Sequence, residues 1–238
     1  MGLIGSCDGL VCVKECRRGM FILWNPSTRD YKIIPGSFVV EGEIHGVLRR
    51  KYGFGYDCNG DDYKVVTLSC EENTVKKKTV AFVSGALHWV VDREADDMRV
   101  IISLDLASKT YIEVPQPDYE NFSYLAEVGA SRGCLCLLAY DNFDYCDIWV
   151  MNKYGVGESW IKSIRISYWL GDERNYLGHL KPLTWFIENG EIVLSIGGNL
   201  ASYNANRNSV RCSSPRKELP SSMVVFQAIP VKLELKAP

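Results

Sequence analysis

Apolar residues in this chain come in short runs, β-branched or aromatic, fenced by Gly, Asn, Asp or Pro. FILW (21–24), YKII (31–34), YKVVTL (63–68), TVAFV (79–83), ALHWVV (86–91) and RVIISLDL (99–106) come first. CLCLLAY (134–140), DIWVM (147–151), SWIKSIRI (159–166), LTWFI (183–187), EIVLSI (191–196) and MVVF (223–226) follow. Runs of this length and composition are strand signals, and sustained helical periodicity is nearly absent. The pattern predicts an all-β chain.

The runs fall into a loose repeat in which a Gly-containing turn leads into a strand, a second strand ends in a polar turn, and a third follows. SCDGLVCV…FILWNPSTRDYKIIP (6–35) is the fullest copy, and VSGALHWVV…VIISLDLASKTYIEVP (83–115) follows it closely. In that second copy Asp105–Tyr111 stands where Asn25–Tyr31 stood in the first. SRGCLCLLAY…DIWVMNKYGVGESWIKSI (131–164) and ENGEIVLSIGGNLASYNANRNSV (188–210) are the third and fourth. Their leading glycines, Gly9, Gly85, Gly133 and Gly190, are 76, 48 and 57 residues apart. Stranded repeats of about 40–50 residues mark propeller blades. The fold expected is a β-propeller-like, kelch-type array of short antiparallel strands, incomplete at its N-terminus. The turn residues Asn25, Pro26, Asp105 and Asn204 read as structural, since such residues accept tight turns or bond their own backbone.

Composition narrows the function. At 238 residues and 47% hydrophobic content, the chain is long enough for one sizeable core, and 1–238 is expected to be a single domain. Lys and Arg number 27 against 29 Asp and Glu, a balance that speaks against a nucleic-acid surface. Nine cysteines, mostly inside apolar runs and with no signal peptide before them, read as small buried hydrophobes of a reducing compartment. The expected location is cytoplasmic or nuclear. No apolar stretch has the length of a membrane helix.

The first ten residues, MGLIGSCDGL, admit three readings. Gly2 and Ser6 fit the pattern for N-myristoylation, with Cys7 placed for a second acyl chain. Gly5–Gly9 has the outline of a nucleophile elbow with Cys7 as nucleophile. The third reading is a plain strand and turn.

GSCDGLVCV, LWNPSTRDYKIIP, YGFGYDCNGDDYKVV, SGALHWV, DIWVMNKYGVGESWIK and PLTWFIENGEIVLSI occur in this order, and as a set they resemble plant F-box-associated domains. The segment DIWVMNKYGVGESW is similar to that of S-locus F-box and F-box/kelch-like proteins. The resemblance covers essentially the whole chain. It implies a non-catalytic receptor domain of a cullin-type (SCF) ubiquitin ligase, which selects target proteins for ubiquitination. No F-box is recognisable in these residues, so a Skp-type adaptor and a cullin are expected partners only if an F-box lies upstream. Without one, an adaptor-less competitor of longer relatives is the alternative. The same resemblance makes GSC-x-GL an internal strand and turn.

Sites of chemistry are sparse. His45, His88 and His179 have no acidic partner at motif spacing, and His88 reads as packed within its strand. The cysteines lack zinc-finger pairing. Asp57–Asp62 imitates a calcium loop, but Asp62 and Leu68 stand where Gly and Glu are needed, so it reads as a hairpin turn. Gly53 and Gly55 precede no phosphate-binding helix. No catalytic residue, cofactor or metal is expected.

Binding has stronger candidates in three aromatic and acidic segments: PDYENFSY (117–124), YDNFDY (140–145) and SYWLGDERNY (167–176). Tyr119, Phe122, Tyr124, Phe143, Tyr145, Tyr168 and Trp169, rimmed by Asp141, Asp144 and Asp172, are the expected partner-binding residues. Aromatics flanked by charge fit a protein–protein hot spot, and the acidic rim favours a basic target protein. Tucking of the same aromatics under neighbouring blades is the competing expectation. A carbohydrate-binding propeller and, last, a hydrolase are the rivals.

Overall fold

Three pairs of neighbouring residues set the frame. Asp8–Gly9, Ser84–Gly85 and Arg132–Gly133 each have positive φ at both positions, 47°/78°, 51°/78° and 50°/77°. That is the type I′ turn, whose twist matches a tight antiparallel hairpin. In each pair the second position is glycine, which adopts such φ values without a Cβ penalty. The turns join β1 (Gly2–Cys7) to β2 (Leu10–Glu15), β8 (Ala81–Val83) to β9 (Ala86–Arg93), and β12 (Tyr124–Ser131) to β13 (Cys134–Asp141). They are the leading glycines of the first three sequence repeats; Gly190 lies outside the described residues.

The computed structural model describes residues 2–15, 19–36, 40–43, 48–71, 80–93, 98–118, 124–141, 145–167, 180–182, 191–196, 199–207 and 209–212. At 40–43, 48–50, 68–71, 124–126, 141, 180–182, 194–196, 199–200 and 212 it describes the backbone alone. The first hairpin continues into β3 (Met20–Trp24) and β4 (Tyr31–Ile34), giving a four-stranded sheet in the order β1-β2-β3-β4. The second sheet holds β5 (Val40–Glu43), β6 (Leu48–Asp57) and β7 (Asp62–Glu71) in the order β5-β7-β6, with β5 parallel to β7. The third adds β10 (Met98–Asp105) and β11 (Tyr111–Val114) to β8 and β9. The fourth adds β14 (Tyr145–Met151) and β15 (Trp160–Ser167) to β12 and β13. The fifth is β16 (Leu180–Pro182), β17 (Glu191–Ile196), β18 (Asn199–Asn204) and β19 (Ser209–Cys212). The four-stranded sheets are antiparallel meanders, the blades of a β-propeller arrangement. The predicted strands LTWFI (183–187) and MVVF (223–226) lie outside the described residues.

The polar turns after the third strands share one geometry. Asn25 N–H donates to Asp30 O (2.9 Å), and Arg29 N–H donates to Asn25 O (2.8 Å). Asp105 N–H and Lys109 N–H repeat this with Thr110 O (3.0 Å) and Asp105 O (2.9 Å). The Asn25 side chain accepts from Ser27 and Thr28 N–H, and Asp105 from Ala107 and Ser108 N–H. Asn204 accepts from Arg207 N–H at the corresponding point of the fifth sheet. Their structural role is thus visible atom by atom.

The core lies between the sheets. Leu10, Cys12, Phe21 and Leu23 meet Phe54 and Val65 at the first junction, and Val66 meets Leu87, Trp89 and Leu104 at the second. Ile101 and Val114 meet Val128, Leu137 and Met151 at the third; Leu138, Ile148 and Ile166 meet Ile192 and Tyr203 at the fourth. A middle strand is therefore covered on both faces, which is why CLCLLAY reads as a continuous apolar run instead of an alternation. Leu135, Cys136, Leu137 and Leu138 are at most 1% exposed. Where the second and third sheets pack together, glycine makes room. A Cβ on Gly53 would stand 2.6 Å from Leu87 Cδ1, and one on Gly55 would stand 2.9 Å from Leu106 Cδ1. This spacing requirement, and no phosphate, accounts for Y-G-F-G-Y.

Candidate functional site

Strand direction decides which loops emerge together. β1 lies against β6 and β8, and β8 against β12, so these first strands line the inner side of the array. Asp8, in the first I′ turn, sits beside Tyr63 at the Asp57–Asp62 turn. The hairpin turns therefore share one end. Strands reverse at every turn, so segments joining β11 to β12, β13 to β14 and β15 to β16 leave from the opposite end. The register sets their anchors side by side: Tyr124 opposes Tyr140, Asp141 opposes Tyr145, and Tyr145 opposes Ser167. Of the sequence candidates, Tyr119, Phe122, Phe143, Asp144, Tyr168, Trp169 and Asp172 lie outside the described residues. Tyr124 and Asp141 are described by backbone position only.

Tyr145 is fully described and exposed, and it opens a charged ladder down one face of β14 and β15. The Arg165 guanidinium lies 5.1 Å from the Tyr145 ring centroid, a cation–π contact. The same guanidinium grips Asp147 with two hydrogen bonds, Nε to Oδ1 and Nη2 to Oδ2, both 2.7 Å. Lys162 Nζ reaches Asp147 Oδ2 at 2.8 Å and stands 5.0 Å over the Trp149 ring. The Asp147 side chain is 0% exposed, whereas Arg165 and Lys162 are 45% and 37% exposed. Burial alone would raise the Asp147 pKa; the hydrogen bonds and charges of Arg165 and Lys162 outweigh it and hold the carboxyl below its ordinary range. The surface thus shows an aromatic ring and two cations and hides the carboxylate that orders them. Sequence reading picked out Tyr145 and missed Arg165, Lys162 and Asp147. The available signal was an Asp inside the apolar run CDIWVM.

The segment DIWVMNKYGVGESW stitches two blades together. Ser159 Oγ donates within Asn152–Trp160 to the carbonyls of Lys153 and Val156 at 2.8 and 2.7 Å, and accepts from Lys153 N–H. From this braced loop Trp160 Nε1 donates to the carbonyl of Pro115, just past β11 of the third sheet, at 2.8 Å. Tyr154 Oη meets His88 Nε2 at 2.8 Å, and His88 Nδ1 faces Ala81 O at 3.3 Å. Because a carbonyl only accepts, Nδ1 carries the proton and Nε2 accepts from the tyrosine. Burial pushes the His88 pKa down to about 4, so the ring is neutral at pH 7. His88 is a packed histidine, as its strand context suggested. His45 and His179 lie outside the described residues.

The chemical alternatives fare differently. Cys7 ends β1 at an I′ turn leading into a second strand, so the strand–turn–helix of a nucleophile elbow is not what Gly5–Gly9 forms. The thiol is 5% exposed and donates to Asp8 Oδ2 at 3.3 Å; burial first, then the Asp8 charge, pushes its pKa far up. Asp57 is taken up by Lys64 and by Asn59 N–H, closing a hairpin turn. Among the described residues, no group of three or more His, Cys, Asp or Glu is placed to hold a metal ion. No helix among them is long and apolar enough to cross a membrane.

Comparison with known proteins places this geometry. Residues 55–199 match the family described as F-box associated beta propeller domain. An F-box/kelch-repeat protein of Arabidopsis thaliana is 26% identical over 98% of this chain and 67% of its own length. Two F-box proteins of the same plant are 27% and 24% identical, over 81% and 90% of this chain and 60% and 64% of theirs. The chain thus spans about two thirds of the length of the curated relatives it matches.

Proposed function

The chain belongs to the F-box associated beta propeller family, and from that premise we propose that it is a target-recognition domain of an SCF-type ubiquitin ligase. It acts by contact, and ubiquitin transfer belongs to other subunits. In this reading 1–238 is one domain, working in the cytoplasm or nucleus, with no nucleic acid or membrane as ligand. A Skp-type adaptor and a cullin join it only where an F-box lies upstream on the same polypeptide. The target docks at the end of the array opposite the hairpin turns, on Tyr119, Phe122, Tyr124, Asp141, Phe143, Asp144, Tyr145, Tyr168, Trp169 and Asp172.

One observation carries the choice of that end: the backbone anchors of all three aromatic segments lie there, aligned by the register of β12–β15. Tyr145, exposed and propped by Arg165, gives this end a rigid aromatic of the kind that dominates protein interfaces. The acidic residues of the segments favour a basic target.

The test is proximity labelling in plant cells with the chain and with its Tyr145→Ala/Trp169→Ala variant, followed by protein abundance under proteasome inhibition. Proteins labelled by the parent alone, and accumulating when the proteasome is blocked, are the expected result. Equal labelling by both would move the docking end elsewhere. Glycan-array binding without a protein partner would replace this reading with the carbohydrate one.

A further inference from the structure

Two cations and two aromatic rings share one row on the fourth sheet. Tyr145, Asp147 and Trp149 alternate along β14 and so stand on one face, and β15 brings Arg165 and Lys162 to them. Both cations are partly exposed and close on the one carboxylate of Asp147, so positive charge exceeds negative among these three side chains. The indole Nε1 of Trp149 is buried and has no hydrogen-bond partner among the described residues. Buried donors are ordinarily paired, so a row with this one calls for an acceptor it does not itself supply.

The third sheet provides the facing wall. Asp92 and Arg99 are opposite one another in β9 and β10 and joined at 2.8 Å. Arg99 shares its face of β10 with Ile101, which packs on Val128, Leu137 and Met151 of the fourth sheet. Because β9 leaves the Ser84–Gly85 turn, Asp92 and Arg99 lie at its far end, the end of Tyr145. Pro115 O accepts from Trp160 while Gln116 Nε2 donates to Arg99 O at 2.7 Å, so one short segment pins both walls.

We propose that this row takes a carboxylate side chain from an acidic segment of the target protein, an inference that rests on the recognition role above. Charge decides the class of ligand. The facing wall is a neutral ion pair, and the single excess charge of the row matches one carboxylate. A phosphate, nearly dianionic at neutral pH, would overshoot it. The Arg165 Nε and Nη2 bonds to Asp147 also fill the fork that would grip a phosphate on two oxygens. With the acidic residues of the neighbouring segments, the row asks for a target surface of mixed sign, which fixes the register of docking.

Titration of the full chain with hexaglutamate peptide tests this, read by the indole N–H signals of its six tryptophans. The signal that disappears in Trp149→Phe is expected to move with hexaglutamate and to stay still with hexalysine. Lys162→Met leaves both Arg165 bonds to Asp147 in place and should weaken hexaglutamate about fivefold, the worth of one partly exposed ion pair. An unmoved Trp149 signal, equal affinity in Lys162→Met, or tighter binding of a phosphoserine peptide of equal net charge overturns the proposal. No ligase or cell enters these readings, so their failure is separate from a failure of proximity labelling, which would sink the recognition role itself.

Discussion

Tyr154 and His88, 66 residues apart in sequence, share a 2.8 Å hydrogen bond across the junction of the third and fourth sheets. Burial sets the pKa of the ring at about 4, against 6.5 for an ordinary histidine. Between those values the unfolded chain binds a proton that the folded chain refuses. The stabilisation from a neutral His88 is therefore complete above pH 6.5 and lost as pH falls towards 4. The loss is on the order of 3 kcal/mol. Urea titrations at several pH values should show this slope in the parent and a flatter one in His88→Gln. Tyr154→Phe, which leaves Nε2 without its donor, should cost about 1–3 kcal/mol.

Asp147→Asn leaves Lys162 and Arg165 without the carboxylate that joins them. Breaking a buried pair costs about 3–5 kcal/mol, and the lower end is expected because both cations are partly exposed and can turn to water. Denaturant midpoints of Asp147→Asn and Arg165→Ala, with the double variant, would measure the coupling. Additive losses would show that the ladder contributes nothing as a unit.

The three I′ glycines make a matched set. No atom lies within 4 Å of a Cβ added to Gly85 or Gly133, so Gly85→Ala and Gly133→Ala should carry only the backbone cost, about 1–2 kcal/mol each. Gly55→Ala fails for a different reason, overlap with Phe82 and Leu106, and should cost about 1–3 kcal/mol. Thermal unfolding separates the two kinds: a compensating Phe82→Leu should recover stability in Gly55→Ala and none in Gly85→Ala.

Thiol reactivity should follow exposure. Burial pushes Cys12 and Cys136 up to about 12 and Cys7 further, while Cys58 is exposed in its turn. Maleimide at pH 7 with peptide mass mapping should modify Cys58 before Cys7, Cys12 or Cys136. Early labelling of Cys7 would reopen the thiol-enzyme reading.

Much of the architecture was legible because strand-forming runs and turn chemistry are local. YKII (31–34) and EIVLSI (191–196) coincide with β4 and β17, and the equivalence of Asn25 and Asp105 reappears as the same hydrogen bonds. The Asp147 ladder and the Tyr154–His88 contact were not legible. They join positions whose approach depends on a register shift between Ile148 and Trp149 or on how two sheets meet. Neither leaves a trace in periodicity. The parallel strand β5 was missed for a similar reason: its segment VEGE lacks an apolar run, and only its pairing with β7 makes it a strand.

The order of strands within each four-stranded sheet also bears on how the chain is made. Each is a meander of consecutive strands, so its pairings close over short loops and can form as that stretch clears the ribosome. The junctions cannot. Leu87 and Trp89 help bury Val66 only after the third sheet has been synthesised. A nascent chain would therefore always present one greasy, unfinished face, passed forward from sheet to sheet until synthesis ends. Chaperone demand during translation should then peak between sheets, when the newest face has no successor to meet.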